Sequence, residues 1–414
     1  MAIRAIFVGI DFGTAVITTA VLQVKKDGRL GILGVGSSPS LGMRRGSVVD
    51  VDDAASALRK SIHEASRQSG VAIKRAYVGL GGTHLAATSA KSAIAVSRAD
   101  GEVTTEDVTR VIQAAENFSA KNPNREVIHV VPRHFKVDGE SSIAEPIGMV
   151  GMKLEADVLV IDAAKSSLQN LIKTCELAGV QIEDWTSSTI AASEVLLSKK
   201  QKELGVMLLD LGADTTDFAI FEEGRLIDLG SFPLGGNHIT SDIAIGFRTP
   251  VTAAEEIKMR YANATFLERP GSRRETIALA DFVEGDLSVY HMRDLAEIVS
   301  ARLTDMFELS AKALKKTGRA GLLPGGVVLT GGVADIPGIH ELARRELKLP
   351  IEITRAIVKD EIDDVIPPRL AIPVGLVLWH AAQSKTQWGL GFARWSGLGD
   401  IIENIKHILR SFVP

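Results

Sequence analysis

The chain has 414 residues, of which 45% are hydrophobic and 24% are charged, so it is long enough to bury a large core in two or more domains. Its 47 Lys and Arg residues nearly balance its 51 Asp and Glu residues, and a net charge of −4 excludes a general electrostatic attraction for nucleic acid. Cys175 is the single cysteine, which excludes an intramolecular disulfide and a cysteine-based zinc site. Asp11 interrupts the apolar N-terminal stretch and no small-residue cleavage site follows, so no secretory signal is predicted and a cytoplasmic location is expected.

The first predicted element is a hairpin at residues 6–22, IFVGIDFGTAVITTAVL, in which a strand, a tight turn and a second strand follow one another. A similar sequence, VMLLDLGADTTDFAIF, occupies residues 206–221 and places Asp210 over Asp11 and Gly212 over Gly13. Glycine lets a backbone approach a ligand closely, and inward-pointing N–H groups of a turn can bind an anion. One such hairpin is usually only a turn, but two facing hairpins predict a clamp for a polyphosphate, with both aspartates near the water shell of a magnesium ion.

A helix is predicted over TPVTAAEEIKMRYANA, with Thr252 as its N-terminal cap. Glu255 and Lys258 are spaced i and i+3, so they lie on one face of this helix. On this spacing alone, a solvated ion pair is the simplest interpretation.

A third glycine turn follows later in the chain. The apolar run Val327 to Leu329 predicts a buried strand, and Thr330, Gly331 and Gly332 come directly after it. Ligands of α/β proteins bind beyond such strand ends, although a purely structural turn between strand and helix has the same pattern.

The last predicted element is an amphipathic helix at residues 398–414. Its apolar side chains fall on one helical face and are Leu398, Ile401, Ile402, Ile405, Ile408, Leu409 and Phe412. Gly399 to Phe412 would reach about 21 Å at a rise of 1.5 Å per residue, which is too short for a membrane span. The helix is therefore expected to lie on a surface, either a membrane or the body of its own protein.

The order of these elements resembles the actin, Hsp70 and sugar-kinase ATPase superfamily. Within it the chain resembles the bacterial cell-division actin homologue FtsA. The similarity rests on the tail and on GVGSSPSLGMRRGSVVDVD (34–52), AYVGLGGTHL (76–85), VIHVVPRHFKVDG (127–139), GGNHITSDIA (235–244) and VVLTGGVADIPG (327–338). It implies an α/β fold, the actin-like two-lobe ATPase fold, with an inserted α+β subdomain in the first lobe and a C-terminal amphipathic helix.

The resemblance also implies that ATP and Mg²⁺ bind between the lobes. The nucleotide-binding residues would be Asp11, Gly13, Thr14, Gly212, Thr215, Gly235, Gly236, Asn237, Glu255, Lys258, Gly331 and Gly332. Gly13 and Thr14 would meet the phosphates from one side and Gly212 from the other. Asp11 and Asp210 would face the metal through water.

The adenosine would bind on the other side of the cleft. There the resemblance places Glu255 and Lys258 at its border. Gly331 and Gly332 would let the chain pass close to it.

Two regions of the chain depart from the superfamily pattern. The second hairpin usually reads D-x-G-G-G-T, whereas Asp214 here replaces a glycine, and its carboxylate is expected to repel phosphate unless magnesium or an outward rotamer relieves it. The helix that carries a water-positioning Glu or Gln in active relatives has Ser188 and Thr189 in that region and no carboxylate or amide before Glu194. Catalysis by a general base is therefore expected to be weak, and ATP hydrolysis slow at most.

The resemblance predicts eight consecutive segments. They are 1–82, first-lobe core; 83–162, inserted subdomain; 163–202, first-lobe core; 203–242, second-lobe core; 243–321, second-lobe outer subdomain; 322–383, second-lobe core and return helix; 384–397, linker; and 398–414, membrane-targeting helix. The linker sequence SKTQWGLGFARWSG contains glycines and three aromatic residues, which are unusual in a solvated tether.

The function implied is that of a polymerising, ATP-binding adaptor on the cytoplasmic face of the cell membrane at the division site. Its partners would be the C-terminal peptide of the tubulin-like protein FtsZ, further copies of itself, membrane lipids and other division proteins, but no nucleic acid. A pilus-assembly actin homologue and a sugar-kinase-like phosphotransferase are the alternatives. The apolar stripe of the tail favours the adaptor over the pilus-assembly homologue. The missing general base disfavours the phosphotransferase.

Overall fold

The computed structural model of the protein describes residues 5–25, 29–119, 122–265, 275–354, 357–359 and 362–383. The linker and the amphipathic helix expected over 384–414 lie outside the described residues. Within the described ranges, no helix is both long enough and apolar enough to cross a membrane.

The strands follow one another along the chain. They are β1 (Ile6–Phe12), β2 (Val16–Val24), β3 (Leu30–Pro39), β4 (Met43–Arg44), β5 (Ser47–Val48), β6 (Arg75–Leu80), β7 (Leu85–Ala95), β8 (Arg125–Val137), β9 (Glu140–Ile143), β10 (Lys153–Ala164), β11 (Gln181–Ser187), β12 (Val206–Leu211), β13 (Thr216–Glu222), β14 (Arg225–Phe232), β15 (Thr276–Ala278), β16 (Val289–His291), β17 (Val327–Thr330), β18 (Ile351–Ile353), β19 (Ile357–Lys359) and β20 (Ile362–Ile366).

The helices connect and cover the sheets. They are α1 (Val51–Ser69), α2 (Thr105–Ser119), α3 (Lys165–Ala178), α4 (Ser188–Leu196), α5 (Lys199–Leu204), α6 (Gly236–Gly246), α7 (Val251–Tyr261), α8 (Met292–Lys316), α9 (Ile339–Leu347) and α10 (Ala371–Gln383).

The first lobe is built on a sheet with the strand order β11-β6-β1-β2-β3-β20-β19. Strands β1, β2 and β3 form an antiparallel meander, whereas β6 runs parallel to β1 and β11 parallel to β6. The sequence of β2, VITTAVLQV, is buried on both faces from Ile17 to Leu22, as its nearly continuous run of apolar and β-branched residues requires. Helix α1 packs on β3; the Asp50 carboxylate accepts from the backbone N–H of Asp53 at its start, and Gly70 ends it in the left-handed region.

The inserted subdomain has its own antiparallel sheet, in the order β7-β10-β8-β9, with α2 against one face. Its core is separate from those of the lobes and includes Val111, Phe135 and Val158. Helix α2 is capped at Thr104, because the backbone N–H of Asp107 donates to the Thr104 hydroxyl and the Asp107 carboxylate accepts from the Thr104 backbone at 2.9 Å.

The second lobe has a five-stranded sheet in the order β14-β13-β12-β17-β18. Side chains of β12 alternate between two cores: Met207 and Leu209 face the one that contains α6, α8 and α9, and Leu208 faces the one shared with the first lobe. The helix α8 contributes Leu303 and Phe307 to the former core, where both are fully buried.

Helices α4 and α10 lie in the core that the two lobes share. They pack so closely that a β-carbon on Gly375 of α10 would collide with the carbonyl group of Ala191 of α4. A β-carbon on Gly9 of β1 would collide in the same way with the backbone of Pro373. The predicted architecture, two α/β lobes with an α+β insertion in the first, is confirmed for the described residues.

Candidate functional site

The two predicted phosphate hairpins are present and have the same register. In the first, Asp11 of β1 pairs with Thr18 of β2, and in the second, Asp210 of β12 pairs with Asp217 of β13. Each aspartate therefore faces the residue seven positions later across a turn. The second turn is closed by the backbone N–H of Gly212, which donates to the carbonyl of Thr215 at 2.9 Å.

In each lobe, the hairpin aspartate also lies next to a residue of a neighbouring parallel strand. Asp11 lies next to Gly79 of the parallel strand β6, and Asp210 lies next to Thr330 of the parallel strand β17. The turn after β6, which begins with Gly81 and Gly82, is thus the first-lobe counterpart of the Gly331–Gly332 turn. This turn is not among the predicted site residues, although two adjacent glycines directly after a buried strand are the same signal in both lobes.

Three carboxylates collect where these strands end. Burial, together with the negative charges of Asp210 and Asp217, raises the pKa of Asp11 to about 7. The pKa of Asp210 is also raised to about 7, first by burial and then by the charge of Asp217. Burial raises the pKa of Asp217 as well, against the hydrogen bonds that it accepts.

A cation would relieve this accumulation of negative charge, and Mg²⁺ prefers oxygen ligands and keeps much of its water shell. In the described ranges, no group of three or more His, Cys, Asp or Glu side chains is arranged to ligate a metal ion directly. The prediction for Asp11 and Asp210 accordingly concerns contacts through water.

Glycines leave room for a ligand on both sides of the cleft. Gly13 and Thr14 form the first turn and are both partly exposed. Gly331 has a φ of 86°, and a β-carbon there would lie 2.5 Å from the carbonyl oxygen of Leu211, so only glycine fits. A β-carbon on Gly332 would instead meet no heavy atom within 4 Å, so this position borders open space.

The start of α6 is attached directly to the second hairpin. The backbone N–H of Gly236 donates to the carbonyl of Gly212 at 2.9 Å, and that of Asn237 donates to Ala213 at 2.8 Å. Gly235 lies against the same two residues of the hairpin, where a side chain would collide with their carbonyl groups. The predicted residues of the hairpin and of α6 are therefore brought together.

Glu255 and Lys258 join this group from helix α7. Their ion pair spans 2.6 Å, and the Lys258 ammonium also donates to the carbonyl of Gly236 at 3.2 Å and to the Thr240 hydroxyl at 2.8 Å. The Lys258 side chain is only 11% exposed and that of Glu255 is 45% exposed, so the pair is solvated on its Glu255 side and packed against α6 on its Lys258 side.

The predicted cap of α7 is wrong. The helix begins at Val251 after Pro250, and Thr252 lies inside its first turn. Pro250 precedes the first helical residue and makes no side-chain cap, so the helix starts two residues earlier than expected.

Asp214 connects the two lobes. Its Oδ2 atom accepts from the backbone N–H of Arg45 in the first lobe at 3.0 Å, and its Oδ1 atom accepts from the side-chain amide of Asn237 at 2.7 Å. Asp217 makes a second connection, because its Oδ1 atom accepts from the backbone N–H of Gly82 at 3.2 Å. These contacts were missed because Arg45 and Asp214 are 169 positions apart and no local pattern joins them.

Ser188 and Thr189 lie at the start of α4 and are both buried. A β-carbon on Gly79 would lie 2.7 Å from the Ser188 hydroxyl, so this end of α4 packs directly on β6. Glu194 forms an ion pair with Lys202 at 2.8 Å. No residue of α4 other than Glu194 carries a carboxylate or an amide side chain.

Two family models match the chain. Residues 207–375 match the model described as "Cell division protein FtsA", and residues 82–162 match that of the "SHS2 domain inserted in FTSA". Cell division protein FtsA of Pseudomonas aeruginosa is 34% identical over 373 residues, which are 90% of this chain and 88% of the relative. That of Bacillus subtilis is 33% identical over 382 residues, 92% of this chain and 85% of the relative.

Solved structures show a similar fold. The protein in a "PilM-PilN type IV pilus biogenesis complex" has a TM-score of 0.64 at 16% identity, over 90% of this chain and 97% of its own. MreB 5 of Spiroplasma citri, bound to AMPPNP, has a TM-score of 0.54 at 15% identity, over 92% of this chain and 97% of its own. The chain in a MamK double helical filament has a TM-score of 0.50 at 13% identity, over 90% of this chain and 98% of its own. At these identities the likeness concerns the fold alone, and it confirms the predicted actin-like fold class.

Proposed function

The chain belongs to the FtsA family of cell division proteins, and from this we propose that it is an ATP-binding, self-assembling adaptor that holds FtsZ at the cytoplasmic face of the membrane. Its place in cell division follows from the family. The nucleotide, the filament, FtsZ and the membrane are the proposed parts. The observation that carries the proposal is a cleft of duplicated hairpins in the same chain as a terminal apolar stripe.

The cleft supports binding of ATP with Mg²⁺. The open space at Gly332 and the glycine turns at Gly13 and Gly212 suit a ligand that contacts backbone, and the raised pKa values of Asp11 and Asp210 suit a nearby cation. Mg²⁺ would offset the charge of the phosphates when bound. MreB 5, whose structure contains AMPPNP, has the same fold.

The proposed role of ATP is to set the relative position of the lobes. The hairpins come from different lobes, so a ligand that binds both favours the closed arrangement over the open one. Fast hydrolysis is not part of the proposal, because Glu194 is held by Lys202 and α4 supplies no other water-positioning side chain.

The outer subdomain of the second lobe supports a peptide partner. Ile245, Met259, Leu287 and Val289 are large apolar residues of this subdomain and are 59% exposed or more. Such side chains supply apolar contact area that a bound peptide can cover. We assign the C-terminal peptide of FtsZ to this region.

Attachment to the membrane is assigned to the apolar stripe of residues 398–414. Full burial of seven apolar side chains, at about 1.5 to 3 kcal/mol each, would contribute roughly 10 to 20 kcal/mol as an upper bound, and ordering of the helix opposes it. Lys406 and Arg410 are balanced by Asp400 and Glu403, so anionic lipid adds little. One tail therefore binds reversibly, whereas many tails on one filament bind together at high effective concentration.

Electron microscopy on a lipid monolayer tests the proposal. With ATP and Mg²⁺, the full-length protein is expected to form ordered filaments on the lipid, and a protein truncated after Gln383 is expected to form none there. Particles that stay dispersed on lipid at every nucleotide condition would contradict the adaptor. The pilus-assembly alternative has only a likeness of fold in its favour, at 16% identity.

A further inference from the structure

The nucleotide site does not explain the hydrogen bonds of Asp214 in the second hairpin. Its carboxylate accepts one hydrogen bond from each lobe, from the Arg45 backbone at 3.0 Å and from the Asn237 side chain at 2.7 Å. Both donors are groups of the protein itself, so the contacts require no ligand.

The first-lobe partner of Asp214 lies on a well-supported turn. Arg45 lies between β4 and β5 with a φ of 51°, and its carbonyl accepts from the backbone N–H of Thr83 at 3.3 Å. Gly46 and Gly82 pack backbone against backbone, with no room for a side chain on either. The Arg45 N–H is therefore held in place by the 81–83 turn and does not depend on a free loop.

The neighbouring contact strengthens this connection. Gly82, from the same pair of turns, donates its N–H to the Asp217 carboxylate at 3.2 Å. Two backbone N–H groups of the first lobe thus end on two carboxylates of the second hairpin. Hydrogen bonds from N–H groups to carboxylates are about twice as strong as those between neutral groups.

We propose that Asp214 is an interlobe latch: it holds the cleft closed in the absence of nucleotide and lowers the affinity of the cleft for a polyphosphate. It closes the cleft through Arg45 and Asn237, and it lowers the affinity because a fixed negative charge lies on the turn that phosphate oxygens would approach. The first effect does not depend on ATP. The second rests on the proposed nucleotide site.

Amide hydrogen exchange of the nucleotide-free, full-length protein tests the closed state. Asp214→Gly is expected to speed exchange at the Arg45 amide by about ten-fold or more, the loss that follows from removing a charge-assisted hydrogen bond. Asn237→Ala is expected to speed it as well, and the double variant should be no faster than Asp214→Gly, since both changes open one latch. Unchanged exchange at Arg45 in Asp214→Gly would overturn the latch.

Asp138 supplies the matched control. Its carboxylate also accepts from backbone N–H groups, those of Met152 and Lys153 in the inserted subdomain, and its own φ of 50° suits glycine. Asp138→Gly should speed exchange at Met152 and Lys153 only. Faster exchange at Arg45 in this variant would show that the effect is general loosening and would overturn the latch.

Calorimetry with Mg²⁺-ATP separates the latch from the proposed function. Asp214→Asn removes the charge but keeps an oxygen that can accept from Arg45, so tighter ATP binding than in the parent, by about ten-fold, would show the electrostatic effect. Equal or weaker binding would overturn that part of the proposal. If neither the parent nor Asp214→Asn binds ATP, the proposed nucleotide site fails, and the exchange at Arg45 alone decides on the latch.

Discussion

Glu194 of helix α4 and Lys202 of helix α5 form an ion pair at 2.8 Å, and their side chains are only 14% and 10% exposed. The ring of Phe221 lies 5.1 Å from the same ammonium group. This Glu194 carboxylate has a structural role, because breaking the ion pair would leave the Lys202 ammonium uncompensated in a mostly apolar environment.

The first prediction concerns turnover. With Mg²⁺ and ATP, phosphate release should stay far below the ~10 s⁻¹ typical of enzymes. Glu194→Gln should leave that slow rate unchanged while it lowers the free energy of unfolding by about 2 to 4 kcal/mol. A coupled phosphate assay and urea denaturation check the two effects. Phosphate release at ordinary enzyme rates, or a loss of phosphate release in Glu194→Gln, would show that Glu194 takes part in hydrolysis.

The second prediction uses the open space at Gly332. Gly332→Val places a branched side chain where no atom from outside its own turn lies within 4 Å of the β-carbon, so the melting temperature should change little. The same side chain occupies space assigned to the nucleotide, so ATP binding in calorimetry should be lost, and Gly332→Ala should weaken it less. If the valine variant binds ATP with the affinity of the parent, Gly332 does not border the nucleotide.

The third prediction concerns pH. The pKa of Asp210 is raised to about 7 by burial and by Asp217, so the folded protein binds more protons than the unfolded chain between pH about 4 and 7. The stability contributed by this group is present at low pH and is lost as the pH rises through that window. Asp210→Asn should therefore stabilise the nucleotide-free, metal-free protein by about 2 kcal/mol more at pH 8 than at pH 5.

Urea denaturation at both pH values measures this difference. An equal effect of Asp210→Asn at pH 5 and pH 8 would contradict the charge accumulation in the cleft.

The fourth prediction concerns the tail. Ile408→Glu places a charge in the apolar stripe, and moving a charge towards hydrocarbon costs up to a few kcal/mol. Liposome sedimentation should leave this variant in the supernatant, with an unchanged melting temperature and intact ATP binding. Asn404→Glu changes the net charge equally but lies on the polar face, so it should still sediment. A lowered melting temperature for Ile408→Glu would show that the stripe packs on the protein body.

The parts of the fold and site that were predictable are those with a local signal. The Asp11 and Asp210 hairpins and the Gly331 turn each place a glycine in the turn directly after a buried strand, so sequence and structure agree on them. The packing of Lys258 against Gly236 and Thr240 was not predictable, because spacing on a helix gives the neighbour within that helix and says nothing about what covers it. The Asp214 and Arg45 contact depends on two turns from different lobes, and only the assembled fold brings them together.

The position of helix α10 determines how tension would enter the protein. Its last residue, Gln383, directly precedes the stretch that leads to the tail, and its backbone is wedged at Gly375 against Ala191 and at Pro373 against Gly9. A force on a membrane-bound tail would therefore pull α10 along its contacts with α4 and β1. That load would be borne first by the first-lobe elements that hold α10.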